Sequence, residues 1–507
     1  MLWSTLLSAS LVLVDLAAPA LAAFGVTESG NSFIVDTAGG LVFTVEKTSG
    51  DITSMLFNGI QAQDQSKRSH IASGIGATCT WTQIGNYIKI SCVTSTLTHY
   101  YVAQYKNPGI HMATYATPGS SVGELRFIGR LNAATLPNGP TASSIAGASS
   151  AIEDDDVFLV SGQSRSKFYS SIPFIDDQIH SASPLLISPS IDNQGSSQQE
   201  LYFYMFSGHT QTESYRTGLH GPYLLQFTTG TAPSTDINLA FWDGLSVTGW
   251  VPTSGRGYVK GKASGVPDAF ASLVVVGWYN SEAQYWTRAE SDGNFYSPAM
   301  KPGTYTQTMY KSELAVSTET VTVTAGSTIT NNIQSQEAEP TVIWQIGDFD
   351  GTPGGFLNSD MIETMHPSDT RMHDWLRTFT VGQQDIGYFP MAIFKDIGPV
   401  TVRWALSSSQ LGARTLEIGV TLAFAGGRPQ VIINGWTGPA PPLPTQPDSR
   451  GVTRGTWRGN NTRYTVSIPS GVLISSAVNV MTINVISGSG GTQYLSPNIV
   501  IDAVRLY

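Results

Sequence analysis

The chain has 507 residues, with 27 Lys and Arg against 37 Asp and Glu, only 13% charged residues, 51 glycines and 20 tyrosines. A net charge of -10 argues against a nucleic-acid binder, the aromatic content argues against disorder, and two cysteines cannot build a zinc-ribbon or disulfide-dense scaffold. The length allows about two to four domains with cores of their own, and the low-charge, Gly/Thr/Ser/Tyr-rich balance suits an exported β protein that works on carbohydrate.

Residues 1–22 are apolar and end in Ala20-Leu21-Ala22, a small-x-small cleavage pattern. Asp15 interrupts the run, which argues against a membrane span of about 20 mainly apolar residues. The n-region lacks the usual Lys or Arg, but a cleaved signal with a mature start at Ala23 is the expectation, and with it a secreted protein with no membrane partner.

From there short alternating segments recur, punctuated by Gly, Asn, Asp and Pro. LVFTVEK, YIKISCV, ELRFIGRL, ELYFYMF, SLVVVGWY, ETVTVTA, TVRWALS and VNVMTINVIS all read as strands, and no long stretch shows a helical period with caps. The chain is therefore expected to be all-β, a series of sandwiches.

Cys79 and Cys92 flank TWTQIGNYIKIS. If Gly85-Asn86 is a two-residue hairpin turn, Ile84 pairs with Tyr87, Trp81 with Ile90, and Cys79 with Cys92. The cysteines then form a non-hydrogen-bonded pair with Cα atoms about 4.5 Å apart, within reach of a disulfide. Two buried free thiols are the alternative.

The acidic run Glu153-Asp154-Asp155-Asp156 offers Ca²⁺ ligands or a glycosidase carboxylate, but neighbours on a strand point to opposite faces, so a solvated loop is the plainer reading. Asp176-Asp177 reads the same way. Arg165 and Lys167, two apart, share one face if extended. Adjacent cations lower a lysine pKa and favour a neutral amine base, although exposed surface would also account for the pair.

In residues 200–223, Tyr202 and Tyr204 share one strand face, with Leu201, Phe203 and Met205 on the other. If the apolar face is core, the tyrosines line a groove able to stack on sugar rings. The strand breaks at Ser207-Gly208 and presents His209, a proton-transfer residue at working pH. Clustered Gly, Ser and Pro near 250, and QEAEPT near 336–341, mark two domain boundaries. Between them a Gly-x-Phe strand followed by Pro-Gly-Thr-Tyr resembles fibronectin-III modules, and the closing SPNIVIDAVRLY suits a jelly-roll strand. Asn460-Asn461-Thr462 is the one N-glycosylation sequon.

Taken together, RSKFYSS, SGHTQTESYRTGLHGPY, GELRFIGRLN, SPAMKPGTYT, FAGGRPQ, SRGVTRG and INVISGS resemble the fungal rhamnogalacturonan lyases of polysaccharide lyase family 4, through essentially the whole chain after residue 22. The resemblance implies a galactose-mutarotase-like catalytic β-sandwich over 23–250, a fibronectin-III-like sandwich over 251–337 and a carbohydrate-binding-module-like jelly roll over 338–507. It implies an endolyase, expected as a monomer, that cleaves the rhamnose-α-1,4-galacturonate bonds of rhamnogalacturonan I by β-elimination. By the same resemblance Lys167 is the base, His209 the acid, and Arg126 the partner of the uronate carboxylate, with Tyr202, Tyr204 and Arg165 in the cleft. Protein cations rather than a catalytic metal then carry the charge; no cofactor is required, and a structural Ca²⁺ is left open.

Two departures stand out. ISPSIDNQGSSQQE occupies a place where the family can carry a longer, more basic loop, which bears on subsite contacts. Gly50 stands in the TSGD turn where some relatives place a cysteine. The competing readings are a non-catalytic pectin-binding protein of the same fold and a glycoside hydrolase using two carboxylates.

Overall fold

The computed structural model describes residues 23–72, 74–120, 123–136, 151–152, 159–160, 198–206, 212, 214–230, 237–447 and 450–507. Lys167, His209, Arg165, the acidic run at 153–156 and Asp176-Asp177 lie outside the described residues.

Strict alternation builds the first sandwich. In Ser32–Asp36 and Leu41–Glu46 every second side chain is buried, so Phe33, Val35, Leu41, Phe43 and Val45 enter one core while their neighbours face outward. These strands belong to a five-stranded antiparallel sheet; a second five-stranded sheet runs Gly218–Gln226, Gly109–Ala116, Leu97–Gln104, Tyr87–Val93, Thr78–Ile84. Behind the second sheet, Trp242, Leu245 and Val247 cover Tyr100, Val102 and Leu219 in a smaller apolar cluster. Both faces of that sheet are thus buried, which explains the nearly continuous burial of Gly109–Ala116.

The hairpin register expected from Gly85-Asn86 is the observed one: Ile84 faces Tyr87, Trp81 faces Ile90, and Cys79 faces Cys92. Cys79 and Cys92 form a disulfide with their Cα atoms 4.0 Å apart. Gly50 lies against it, and a Cβ added there would sit 3.2 Å from the Cys92 Sγ.

The middle unit packs a four-stranded sheet, Gln284–Arg288, Val274–Tyr279, Gly303–Lys311, Leu314–Val323, on a smaller one around Tyr258–Ser264. Its core holds Val276, Trp278, Tyr285, Phe295, Tyr305 and Met309. The Trp278 Nε1–H donates to the Gln307 side-chain oxygen at 2.8 Å, so the one polar atom of that buried ring is satisfied. In the last unit, Asn498–Leu506 pairs with Trp344–Gly347, Arg414–Phe424 and Ala392–Phe394, and all nine of its residues are buried. The opposing sheet includes Val400–Trp404, Asn479–Ile486 and Arg428–Ile433. The all-β expectation holds throughout: the described helices are short 3₁₀ turns, and among the described residues no helix is long and apolar enough to cross a membrane.

Named contacts join the units. Thr217 N–H donates to the Ser281 carbonyl at 3.0 Å, and Arg216 Nη1 to the Gln284 side chain at 2.8 Å. Arg256, buried at the first boundary, donates from Nε to the Val251 carbonyl at 2.8 Å. At the second boundary Glu337 binds both Lys311 and Arg463, while Arg458 grips Glu313 through two 2.9 Å bonds.

Candidate active site

A three-stranded sheet, Gln198–Phe206, Leu125–Asn132, His70–Ile71, carries the candidate residues. Its register sets Arg126 opposite Tyr204, Ile128 opposite Tyr202, Arg130 opposite Glu200, and His70 opposite Ile128. Alternation then turns Phe127, Leu131, Phe203 and Met205 into the core and leaves Arg126, Arg130, His70, Glu200, Tyr202 and Tyr204 on the other face. A bulge at Leu125/Arg126 interrupts the pairing, the device that re-aims side chains at the rim of a sheet.

The tyrosine face read from the sequence exists. The Tyr202 and Tyr204 rings stack at 5.3 Å and 13°. The Arg126 guanidinium lies 6.0 Å from the Tyr202 ring centre and forms an ion pair with Glu124. Its Nε is buried and makes no hydrogen bond among the described residues, a donor that a carboxylate oxygen could satisfy. The Tyr202 hydroxyl donates to the Glu200 carboxylate, which also pairs with Arg130. Glu200 is buried, so this shared pairing compensates its charge and fixes the tilt of the Tyr202 ring.

Burial first, then the Arg130 charge, lower the His70 pKa to about 4, with Arg126 acting in the same direction. The imidazole is therefore neutral beside two guanidiniums, each of which is paired with a carboxylate, Arg126 with Glu124 and Arg130 with Glu200. An aromatic shelf flanked by arginines can hold a sugar ring and clamp an adjacent carboxylate.

The structure brings Arg126, Tyr202 and Tyr204 together. Arg130, Glu200 and His70 were not singled out from sequence. Arg130 stands four residues beyond Arg126 and Glu200 two before Tyr202, so period-two counting along GELRFIGRLN and ELYFY could have found them. His70 arrives from a distant strand and has no local signal. Among the described residues no group of three or more His, Cys, Asp or Glu could hold a metal ion.

Asn460 is exposed, and its side-chain nitrogen donates to the Thr445 carbonyl at 3.0 Å. The Thr462 hydroxyl of the sequon turns back to the Asn460 carbonyl at 3.0 Å.

Comparison with known proteins covers nearly the whole chain. Residues 24–186 and 187–249 match the family model described as rhamnogalacturonan lyase B, N-terminal. Residues 255–331 match polysaccharide lyase family 4, domain II, and residues 342–506 match domain III of that family. The chain is 49% identical over 532 residues to rhamnogalacturonate lyase A of Emericella nidulans, covering 100% of both chains. It is 50% identical to rhamnogalacturonate lyase A of Aspergillus aculeatus, with 96% of each chain covered, and 51% identical to a probable rhamnogalacturonate lyase A of Aspergillus terreus, with 95% of each covered.

Proposed function

The chain belongs to polysaccharide lyase family 4, and from that premise we propose that it is a secreted endolyase of the rhamnogalacturonan I backbone. It is a pectin-degrading lyase acting on a polysaccharide. The proposal concerns the bond cut, the residues that cut it, and export as a monomer after removal of residues 1–22.

The bond is rhamnose-α-1,4-galacturonate. The C5 proton of the uronate is α to a carboxylate and only weakly acidic. Its removal requires a cation to hold the enediolate charge, a base for the proton and an acid for the leaving oxygen. Arg126 supplies the cation, through the guanidinium edge beside the tyrosine shelf. Lys167, as the neutral amine, takes the C5 proton. The freed pair forms the C4–C5 double bond, the C4–O bond breaks, and His209, as imidazolium, protonates the departing rhamnose oxygen. The products are a rhamnose reducing end and an unsaturated uronate. Arg165 beside Lys167 favours the neutral amine. Asn460 is the proposed glycan acceptor.

The observation that carries this reading is the stacked Tyr202–Tyr204 pair with Arg126 beside it, on the strand face turned away from the core. The test is incubation with rhamnogalacturonan I while following the ultraviolet band of the unsaturated uronate. New absorbance is expected for the wild type, and none for Lys167→Ala or His209→Ala, with polymer binding kept. Chain scission without new absorbance would instead mean hydrolysis, binding without scission a lectin, and turnover by either variant a wrong assignment of roles.

A further inference from the structure

A second concave surface lies where the three units meet. It is a cleft of about 1030 Å³, at the upper end of the roughly 300–1000 Å³ typical of ligand sites. Thr212, Ser214, Tyr215 and Arg216 of the first unit, the outer face of the middle sheet, and Arg458–Asn461 of the last unit wall it.

The middle sheet shapes its floor. Trp278 and Val276 point into the core, so alternation sends Gly277 and Tyr279 outward. Gly277 is paired with Trp286 on one side and Thr308 on the other, and Tyr279 with Gln284 and Thr306. Tyr279 is 48% exposed, so its ring is open to a partner. Gly277 keeps the floor flat: a Cβ there would stand 3.3 Å from the Tyr310 ring. Three aromatic rings, Tyr279, Trp286 and Tyr310, thus line a shallow trough edged by Thr304, Thr306 and Thr320.

Aromatic rings surrounded by hydroxyl and amide groups match the chemistry of a pyranose, apolar on its C–H face and hydroxylated at its edge. Among the described wall residues the Arg458 charge is offset by Glu313, and the Arg216 guanidinium donates to a neutral amide. Arg458 is held bidentate by Glu313 at 2.9 Å, and Arg216 donates to Gln284.

We propose that this cleft is a second carbohydrate-binding site, separate from the catalytic face, that takes an uncharged hexosyl oligosaccharide. Thr212, a residue of its wall, stands three residues past His209 in sequence. Asn460 also lines the cleft, and a glycan on it would stand at the rim.

The test is calorimetric titration with β-1,4-galactotetraose, a neutral probe, and separately with an unbranched rhamnogalacturonan oligosaccharide. Each is run on the wild type and on an Asn460→Gln background, so that a rim glycan cannot mask the cleft. Tyr279→Ala, Trp286→Ala and the floor-filling Gly277→Leu should each weaken galactotetraose binding by about tenfold or more. Their turnover of the unbranched substrate should stay at the wild-type level. Tyr279→Ala changes an exposed ring and keeps the test meaningful if Trp286→Ala fails to fold. No galactotetraose binding on either background, or binding that Tyr279→Ala and Gly277→Leu leave intact, would overturn the proposal. Because binding is read without turnover, that result is distinct from failure of the lyase assay.

Discussion

Replacing Asp502 by Asn should stabilise the protein near neutral pH and change the shape of its pH–stability profile. Asp502 is buried in the closing strand Asn498–Leu506, and its carboxylate oxygen accepts the backbone N–H groups of Asp350 and Gly351 at 3.1 and 2.8 Å. Burial, reinforced by the nearby Asp350 charge, raises its pKa to about 7; the two backbone bonds and Arg463 act the other way and lose. The folded value lies above the unfolded one, so the folded chain holds the proton more tightly. Stability from this group is full below about pH 4 and is lost as pH rises through about 7. A carboxyl that titrates near 4 in the unfolded chain and near 7 in the folded one contributes about 4 kcal/mol in total, of which about 2 kcal/mol is lost between pH 5 and pH 7. Asparagine keeps the acceptor oxygen and cannot ionise. His70, His99 and His111, lowered to about 4, about 3 and about 4, bias stability in the opposite direction, rising with pH, but they are common to both proteins and cancel in the difference. The assay is urea unfolding of wild type and Asp502→Asn at pH 5, 6 and 7. The stability difference should grow in favour of the variant by about 2 kcal/mol over that range. A difference flat with pH, or one that grows in favour of the wild type, would refute the reasoning.

Other perturbations test other links. Glu337→Gln should cost about 3–5 kcal/mol, because it strands the buried Lys311 ammonium, whereas Lys311→Met with Glu337→Leu should recover much of the loss in the same denaturant assay. Replacing both Cys79 and Cys92 by Ala should remove up to about 3 kcal/mol, and the variant's melting temperature should then be insensitive to reductant. A wild-type melting curve unaffected by reduction of the bond would contradict this. Arg126→Ala should lower kcat/KM on the polymer by about 100-fold or more, and Arg126→Lys should restore little, since a point charge cannot replace the planar fork; full rescue by lysine would argue against carboxylate clamping by that fork.

Much of the fold was legible because its signals are local. Phe33, Val35, Leu41, Phe43 and Val45 alternate with outward neighbours, and a period of two can only be buried as a strand. The Gly85-Asn86 turn fixed the pairing of Cys79 with Cys92 by counting alone, since a two-residue loop leaves one register. The tyrosine face was readable for the same reason: Phe203 and Met205 in the core put Tyr202 and Tyr204 on the opposite face of the strand, where Tyr202 is itself buried.

What the amino-acid order determined by itself is therefore the all-β class, the hairpin staple and one aromatic strand face. Only the tertiary structure decided what stands beside that face. Arg130 meets Glu200 across a sequence separation of 70, and His70 joins them from a third strand. It also decided that Asp502 would be buried beside Asp350, and that three domains would close a cleft over Gly277. Those neighbours come from strand pairing and domain docking between distant segments, where no local period constrains which residues meet.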